Sequence, residues 1–284
     1  MKTALMVLGG VIGLALVALL AWRQADAWSM RGEMERLRAF QPANPPRFSA
    51  QMVVELPEPA RRFFTFAIAE GTPLLTVAEI EMRGQFSLGN KEAPNYMEMQ
   101  AQQVLAAPHG FVWQMRGGNV SMRVSGSDSG RWTRFWLAGL IPVARFGGTT
   151  DHARSAFGRY VSEAIFWTPA AVLPGPGVTW DAVDENTARL IMRHAGMEQS
   201  VEVHVDAQGR PDRIVFPRWS DANPSREFRE QPFGGVVSGF KDFGGYRLPT
   251  HVEAGNFFGS DAYFPFFIAE VTAVRFPAAR LDAQ

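Results

Sequence analysis

Glu163 and Arg159 stand four residues apart in the stretch Arg159-Tyr-Val-Ser-Glu-Ala-Ile-Phe-Trp-Thr-Pro-Ala-Ala-Val-Leu-Pro174. At that spacing a carboxylate and a guanidinium meet on one side of a helix. On a solvated face such a pair is ordinary. At the rim of an apolar cavity it offers a ligand a polar contact, or a reaction an acid or base. The chain is also rich in large aromatics. Phe86, Trp113, Trp136, Tyr160 and Trp167, together with Glu163, form the candidate ligand-binding set. Aromatic side chains of this kind either fill a core or line a pocket with a few polar groups.

Other chemistry has weaker claims. The five histidines, His109, His152, His194, His204 and His251, show no His-Glu-x-x-His spacing, and the chain has no Cys. A metal site needs three or four converging ligands, so no metal is expected. Gly126-Ser-Asp-Ser-Gly130 has the wrong spacing for a nucleophile elbow. Phosphate-cradling glycine loops are absent from the sequence, so no nucleotide cofactor is expected. No catalytic residue is assigned, and the balance favours a protein that is not an enzyme.

These residues need a scaffold, and the hydrophobic spacing describes one. Phe157, Tyr160, Val161, Ala164 and Ile165 recur at the spacing of one helix face. Thr168-Pro169 reads as the start of a second helix, and Pro174-Gly-Pro-Gly177 ends it. Leu56 to Gly71 reads as an earlier helix with Ala60, Phe63, Phe64, Ala67 and Ile68 on its buried side. Between these helices the period falls to two. Val77–Leu88, Met97–Gln102, Phe111–Arg116, Val120–Ser125 and residues 131–137 alternate apolar and polar positions, with Ser127–Gly130 as a turn. After the central helices, strands are expected at 178–183, 187–193, 200–205, 212–216, 236–243, 246–254 and 265–276. Asp206-Ala-Gln-Gly209 and Gly244-Gly245 serve as turns between them. Short, closely spaced strands favour an antiparallel meander over parallel units.

The fold class that follows is α+β, mostly antiparallel β: a curved sheet or half-barrel with central helices on one face. The formal net charge is +0, which gives no basic surface for nucleic acid. Thr3 to Trp22 is an uncharged apolar run after Lys2. About 20 such residues can cross a hydrocarbon layer of ~30 Å as a helix. Ala25-Asp26-Ala27 also matches a signal-peptide cleavage pattern. Residues 1–23 are therefore read as a transmembrane anchor or signal peptide, 24–47 as a stalk and Pro-rich linker, and 48–284 as a single β-rich domain.

Several motifs resemble a bacterial membrane-associated family that carries the label of a domain of unknown function. They are Leu56-Pro-Glu-Pro-Ala-Arg-Arg-Phe-Phe64, Pro108-x-Gly-Phe-Val-Trp113, Leu137-x-Gly-Leu-Ile-Pro142, Arg159-Tyr-x-x-Glu163 with Trp167-x-Pro169, and Lys241-Asp-Phe-x-x-Tyr-Arg-Leu-Pro-Thr250 with Glu253. The resemblance implies membrane association and no particular activity. The order helix, meander, central helices, second meander also resembles the LolA and LppX type of half-barrel, in which an open sheet holds acyl chains under a helical lid. That likeness implies a binder or carrier of a lipid or other apolar ligand. The apolar run after Lys2, if retained, is expected to anchor it by a single pass in the bacterial inner (plasma) membrane; Lys2 favours a domain outside the cytoplasm, while Arg23, Arg31, Arg36 and Arg38 argue the reverse. The alternatives are an enzyme on a membrane-derived substrate with Glu163 as acid or base, and a structural or assembly partner in the envelope. The sequence leaves the oligomeric state open.

Overall fold

A computed structural model describes residues 2–118 and 122–279. Its elements are largely those the spacing demands. α1 (Lys2–Arg38) is one continuous helix. α2 (Glu58–Ala67) has Pro59 in its first turn, where a missing N–H costs nothing, and it buries Ala60, Phe63, Phe64 and Ala67. Six strands follow: β1 (Ala78–Ser87), β2 (Tyr96–Ala106), β3 (Gly110–Gly118), β4 (Arg123–Ser129), β5 (Trp132–Leu137) and β6 (Ile141–Gly147). Then come α3 (Thr150–Trp167) and a 3-10 turn over Pro169–Val172. The second run is β7 (Val178–Ala182), β8 (Thr187–His194), β9 (Met197–Val205), β10 (Pro211–Ser220), β11 (Arg229–Ser238), β12 (Lys241–Phe243), β13 (Tyr246–Leu248), β14 (His251–Asn256) and β15 (Phe264–Arg275).

Among the described residues, thirteen strands join one sheet in the order β6-β5-β4-β3-β2-β1-β15-β14-β11-β10-β9-β8-β7, and the pairings between its neighbours are antiparallel. The last strand pairs with the first, so the two meanders are stitched together in the middle. The sheet curls: α3 touches β6, β3 and β2 on one limb and β10 and β9 on the other. A flat sheet cannot bring strands so far apart in its order against a single helix. Edge strands β6 and β7 do not pair with each other, which leaves a half-barrel rather than a closed barrel.

α3 starts with Thr149, whose hydroxyl accepts from the His152 N–H, 3.1 Å away. It ends before Pro169, because the residue ahead of a proline is disfavoured in the helical region. Gly158 is where the helix comes closest to the sheet. A Cβ there would lie 2.7 Å from Gln199 Oε1 and 3.3 Å from a Phe216 ring carbon.

Several expectations need correction. Pro169 opens only a single 3-10 turn, and the Thr168 hydroxyl caps nothing: it is buried without a partner. Ser127-Asp-Ser-Gly130 is not a turn, since Ser127, Asp128 and Ser129 end β4 and the reversal comes after them. The expected strand at Val120 begins in residues outside those described, and the described part of β4 starts at Arg123. β6 lies outside the strands expected from the sequence; Pro142 is tolerated in it because β6 is an edge. The runs expected at 236–243 and 246–254 each split, giving β11 and β12, then β13 and β14.

The stretch read as stalk and linker lies against the domain. Met30, Met34 and Leu37 of α1 pack with Val77, Val104, Ala106, Val112 and Trp132 on the outer face of the sheet. Gln41 is buried; its side-chain oxygen accepts from the N–H groups of Thr76 and Val77 at 3.0 Å, and its amide donates to the carbonyls of Val77 and Pro277 at 3.1 Å.

Candidate functional site

A cavity of about 530 Å³ lies between α3 and the concave face of the sheet. That is within the ~300–1,000 Å³ usual for small-molecule sites. Alternation places most of the wall, and β15 adds the neighbours Phe266 and Phe267 where its pairing with β14 shifts register. Phe86 of β1 points in and meets Phe266 of β15 at 5.7 Å between ring centroids and Trp113 of β3 at 6.4 Å. Trp113 in turn lies 6.4 Å from Phe135 and 6.3 Å from Phe267. Phe233 of β11 continues the wall, 6.0 Å from Phe266. α3 covers this surface with Phe166 and Trp167. Leu88, Val143 and Phe146 line the cavity yet are exposed, so its open side lies along them.

One polar cluster sits in the lining. Arg159 donates through Nε to Glu163 Oε1 at 2.8 Å and through Nη1 to Asp128 Oδ2 at 2.7 Å. Gln103 donates to the other Glu163 oxygen at 2.5 Å, and Thr133 donates to the other Asp128 oxygen at 2.5 Å. All four carboxylate oxygens are thus engaged. The Arg159 guanidinium rests 4.4 Å above the Phe111 ring and 5.3 Å above Trp113. Burial alone would lower the Arg159 pKa, but Glu163 and Asp128 outweigh it and the pKa rises. A second arginine, Arg218 of β10, also lines the cavity. Burial and the nearby Arg159 push its pKa down to about 10, against the pull of Asp128, Glu163 and Asp221.

Four of the six candidate residues line this cavity: Phe86, Trp113, Glu163 and Trp167. Tyr160 does not. It is buried deeper, edge-on to Phe157 at 5.3 Å, and burial raises its pKa. Trp136 lies on the opposite side of the sheet. Its indole N–H donates to Asp26 of α1 at 3.0 Å, and its ring meets Trp22 edge-on at 5.5 Å. The Arg159–Glu163 pair is not on a solvated face, for both side chains are about four-fifths buried, at 20% and 18% exposure. Arg218 escaped the sequence reading because its strand was ended at Phe216. Carrying the alternation two residues further puts Arg218 on the apolar face with Ile214 and Phe216, which was the available signal.

β6 borders both the cavity and α1. Val143, Ala144 and Phe146 line the cavity. Arg145 forks onto Asp26 with contacts of 2.6 and 2.9 Å and stacks 4.3 Å from Trp22. Arg23 donates to the Gly139 carbonyl in the β5–β6 loop at 2.8 Å. The helix therefore leaves the sheet beside the cavity's β6 edge. Its N-terminal part is long and apolar enough to cross a membrane and buries nothing against the domain.

A family model described as a family of unknown function, DUF6544, matches residues 46–268. No curated protein matches the chain. Among solved structures the chain is similar to a LolA superfamily protein from Nitrosomonas europaea, at 11% identity and a TM-score of 0.36, covering 81% of this chain and 94% of that one. An outer membrane lipoprotein-sorting protein domain from Vibrio parahaemolyticus is similar at 11% identity and a TM-score of 0.36, with 72% and 87% covered. A DUF1329 family protein from Desulfovibrio piger is similar at 10% identity and a TM-score of 0.38, with 73% and 88% covered.

Proposed function

The chain belongs to the DUF6544 family of unknown function, and we propose that it is a membrane-anchored binder and carrier of a lipid or other apolar ligand. The observation that carries this reading is the cavity of about 530 Å³ between α3 and the sheet, with its aromatic wall and side opening. An acyl chain entering it gains about 0.8 kcal/mol for each methylene removed from water. Ten methylenes contribute about 8 kcal/mol before the costs of association, enough for measurable binding. Phe86, Trp113 and Trp167 would pack against the chain, and Glu163 would sit at its polar end. Trp136 and Tyr160 drop out of the ligand-binding set on their positions.

Membrane residence fits the same geometry. The apolar stretch of α1 departs beside β6, so an amphiphile has a short path from bilayer to cavity. The anchor would be single-pass in the bacterial plasma membrane. With its amino end inside, the domain stands outside the cytoplasm, and a phosphatase fused to the C-terminus tests that orientation. Glu163 as acid or base has less support, because both its oxygens are held by Arg159 and Gln103.

Native mass spectrometry of the full chain after gentle extraction tests the carrier reading. The expected result is a population carrying added mass from lipid. Ala254→Trp, which places a large ring in the cavity lining, should remove that mass and leave the melting temperature within a few degrees. A protein with no retained lipid and no uptake of a fluorescent fatty acid overturns the reading.

A further inference from the structure

The Arg159 cluster satisfies both carboxylates in the cavity and leaves other polar groups without partners. Arg218 Nε is shut off from solvent and has no hydrogen-bond partner. Among the described residues, Arg218 makes no hydrogen bond or ion pair; its guanidinium carbon lies 4.7 Å from the centre of the Phe233 ring, and Arg159, Asp128, Glu163 and Asp221 act on it only through their charge. The indole N–H groups of Trp113 and Trp167, both in the cavity lining, are likewise buried without partners. Arginine and tryptophan side chains donate hydrogen bonds and accept none. The unmet demand of this lining is therefore for an acceptor. A native protein rarely leaves buried donors orphaned, and such groups mark either strain or a missing partner. The Arg218 pKa of about 10 still leaves it cationic at neutral pH, with no carboxylate bonded to it.

We propose that the ligand is an amphiphile with an anionic head, a carboxylate or phosphate, whose oxygens accept from the Arg218 guanidinium while its apolar chain fills the aromatic part of the cavity. This rests on the reading of the cavity as an apolar-ligand site. The planar fork of arginine suits both heads, and burial strengthens the contact. Asp128 and Glu163 do not compete for Arg218, since Arg159, Gln103 and Thr133 occupy their oxygens.

The test uses delipidated full-length protein in a neutral maltoside detergent. Dodecanoate, dodecyl phosphate and dodecanol are titrated while tryptophan fluorescence is followed. The expected result is that one or both anions bind about tenfold or more tightly than dodecanol, the scale of one charge-assisted hydrogen bond. Comparing dodecanoate with dodecyl phosphate identifies the head. Arg218→Met should abolish the preference and leave dodecanol affinity unchanged, which also shows that the variant is folded. Arg218→Lys should keep part of the preference. Equal affinity of the wild type for dodecanol and both anions overturns the inference, as does a preference that survives Arg218→Met. If none of the three binds the wild type, the cavity reading itself fails and this inference goes with it.

Discussion

Replacing Arg159 with methionine keeps most of the side-chain volume and removes the charge that Asp128 and Glu163 share. Their contacts at 2.7 and 2.8 Å are lost together, and the weaker one to Gln103 at 3.4 Å goes too. Removing one partner of a buried ion pair costs about 3–5 kcal/mol, because the other charge stays in a dry place. The three side chains keep 18–21% exposure, so the lower end, about 3 kcal/mol, is appropriate. For a domain of this size each kcal/mol moves the melting temperature by about 2–4 °C, giving a fall of about 6–12 °C. Thermal unfolding followed by far-UV circular dichroism on the full chain in detergent reads this directly. The companion variant Arg159→Met/Asp128→Asn/Glu163→Gln removes all three charges and should recover more than half of the loss. Arg218 supplies a further check. With Arg159 gone it becomes the nearest cation for the two carboxylates, so Arg159→Met/Arg218→Met should lose more than the sum of its parts. A single variant that melts within about 2 °C of the wild type, or a triple variant less stable than the single, refutes the description of this cluster as a buried charge hub.

Other perturbations probe the frame around the cavity. Asp26→Ala removes the acceptor shared by Arg145, Arg134 and Trp136, so the lower part of α1 should loosen from the sheet and residues 24–38 should be cut faster in limited proteolysis, with the β-domain intact. Gly158→Leu forces a large side chain into the space between α3, Gln199 and Phe216 and should cost about 1–3 kcal/mol by overpacking, read as a lower urea midpoint. His251 and His109 should shift in opposite senses in an NMR titration of their ring protons. Burial lowers the His251 pKa less than Glu270 and Glu253 raise it, so its net shift is upward; its stabilisation is complete below about pH 6.5 and is lost as pH rises through the folded value. His109 is shifted downward by burial, then by His194 and Arg36; its contribution is present above about pH 6.5 and is lost as pH falls through its folded value. Two titrations displaced in the same direction contradict this.

Alternation was readable wherever one face of a strand is polar. Val77 to Leu88 gave β1 almost to the residue, and the helical spacing of Phe157 to Ile165 gave the buried side of α3. Where both faces of a strand are covered, alternation no longer marks the inner one. On β5 the spacing says that Trp132 and Trp136 share a face and that Phe135 takes the other, but it does not say which face looks inward. α1 lies on the outer face and hides it with Trp22 and Met30, so apolar character marks both sides. Trp136 was assigned to the cavity for that reason. Asp128 was read as a turn residue because Asp, Ser and Gly favour turns. It is a strand residue, paired with Trp113 and Thr133 across β3 and β5, and Arg159, 31 positions away, supplies its counter-charge. Arg218 was lost to a strand ended two residues early. No local rule announces a partner that arrives from another limb of the sheet.

The seating of α1 has a consequence for the carrier role proposed above. One helix runs unbroken from its apolar end to Arg38, gripped at Arg23, Asp26 and Arg36 along the way. At about 1.5 Å per residue, those grips set the domain at a fixed height above the apolar stretch, with little freedom to swing. A carrier fastened in this way cannot ferry cargo through an aqueous compartment. On the proposed reading, cargo would be collected and surrendered within reach of one bilayer, and a longer journey would require a second protein at the open β6 side. The chain would then work as a relay post, its throughput governed by how often that second protein arrives.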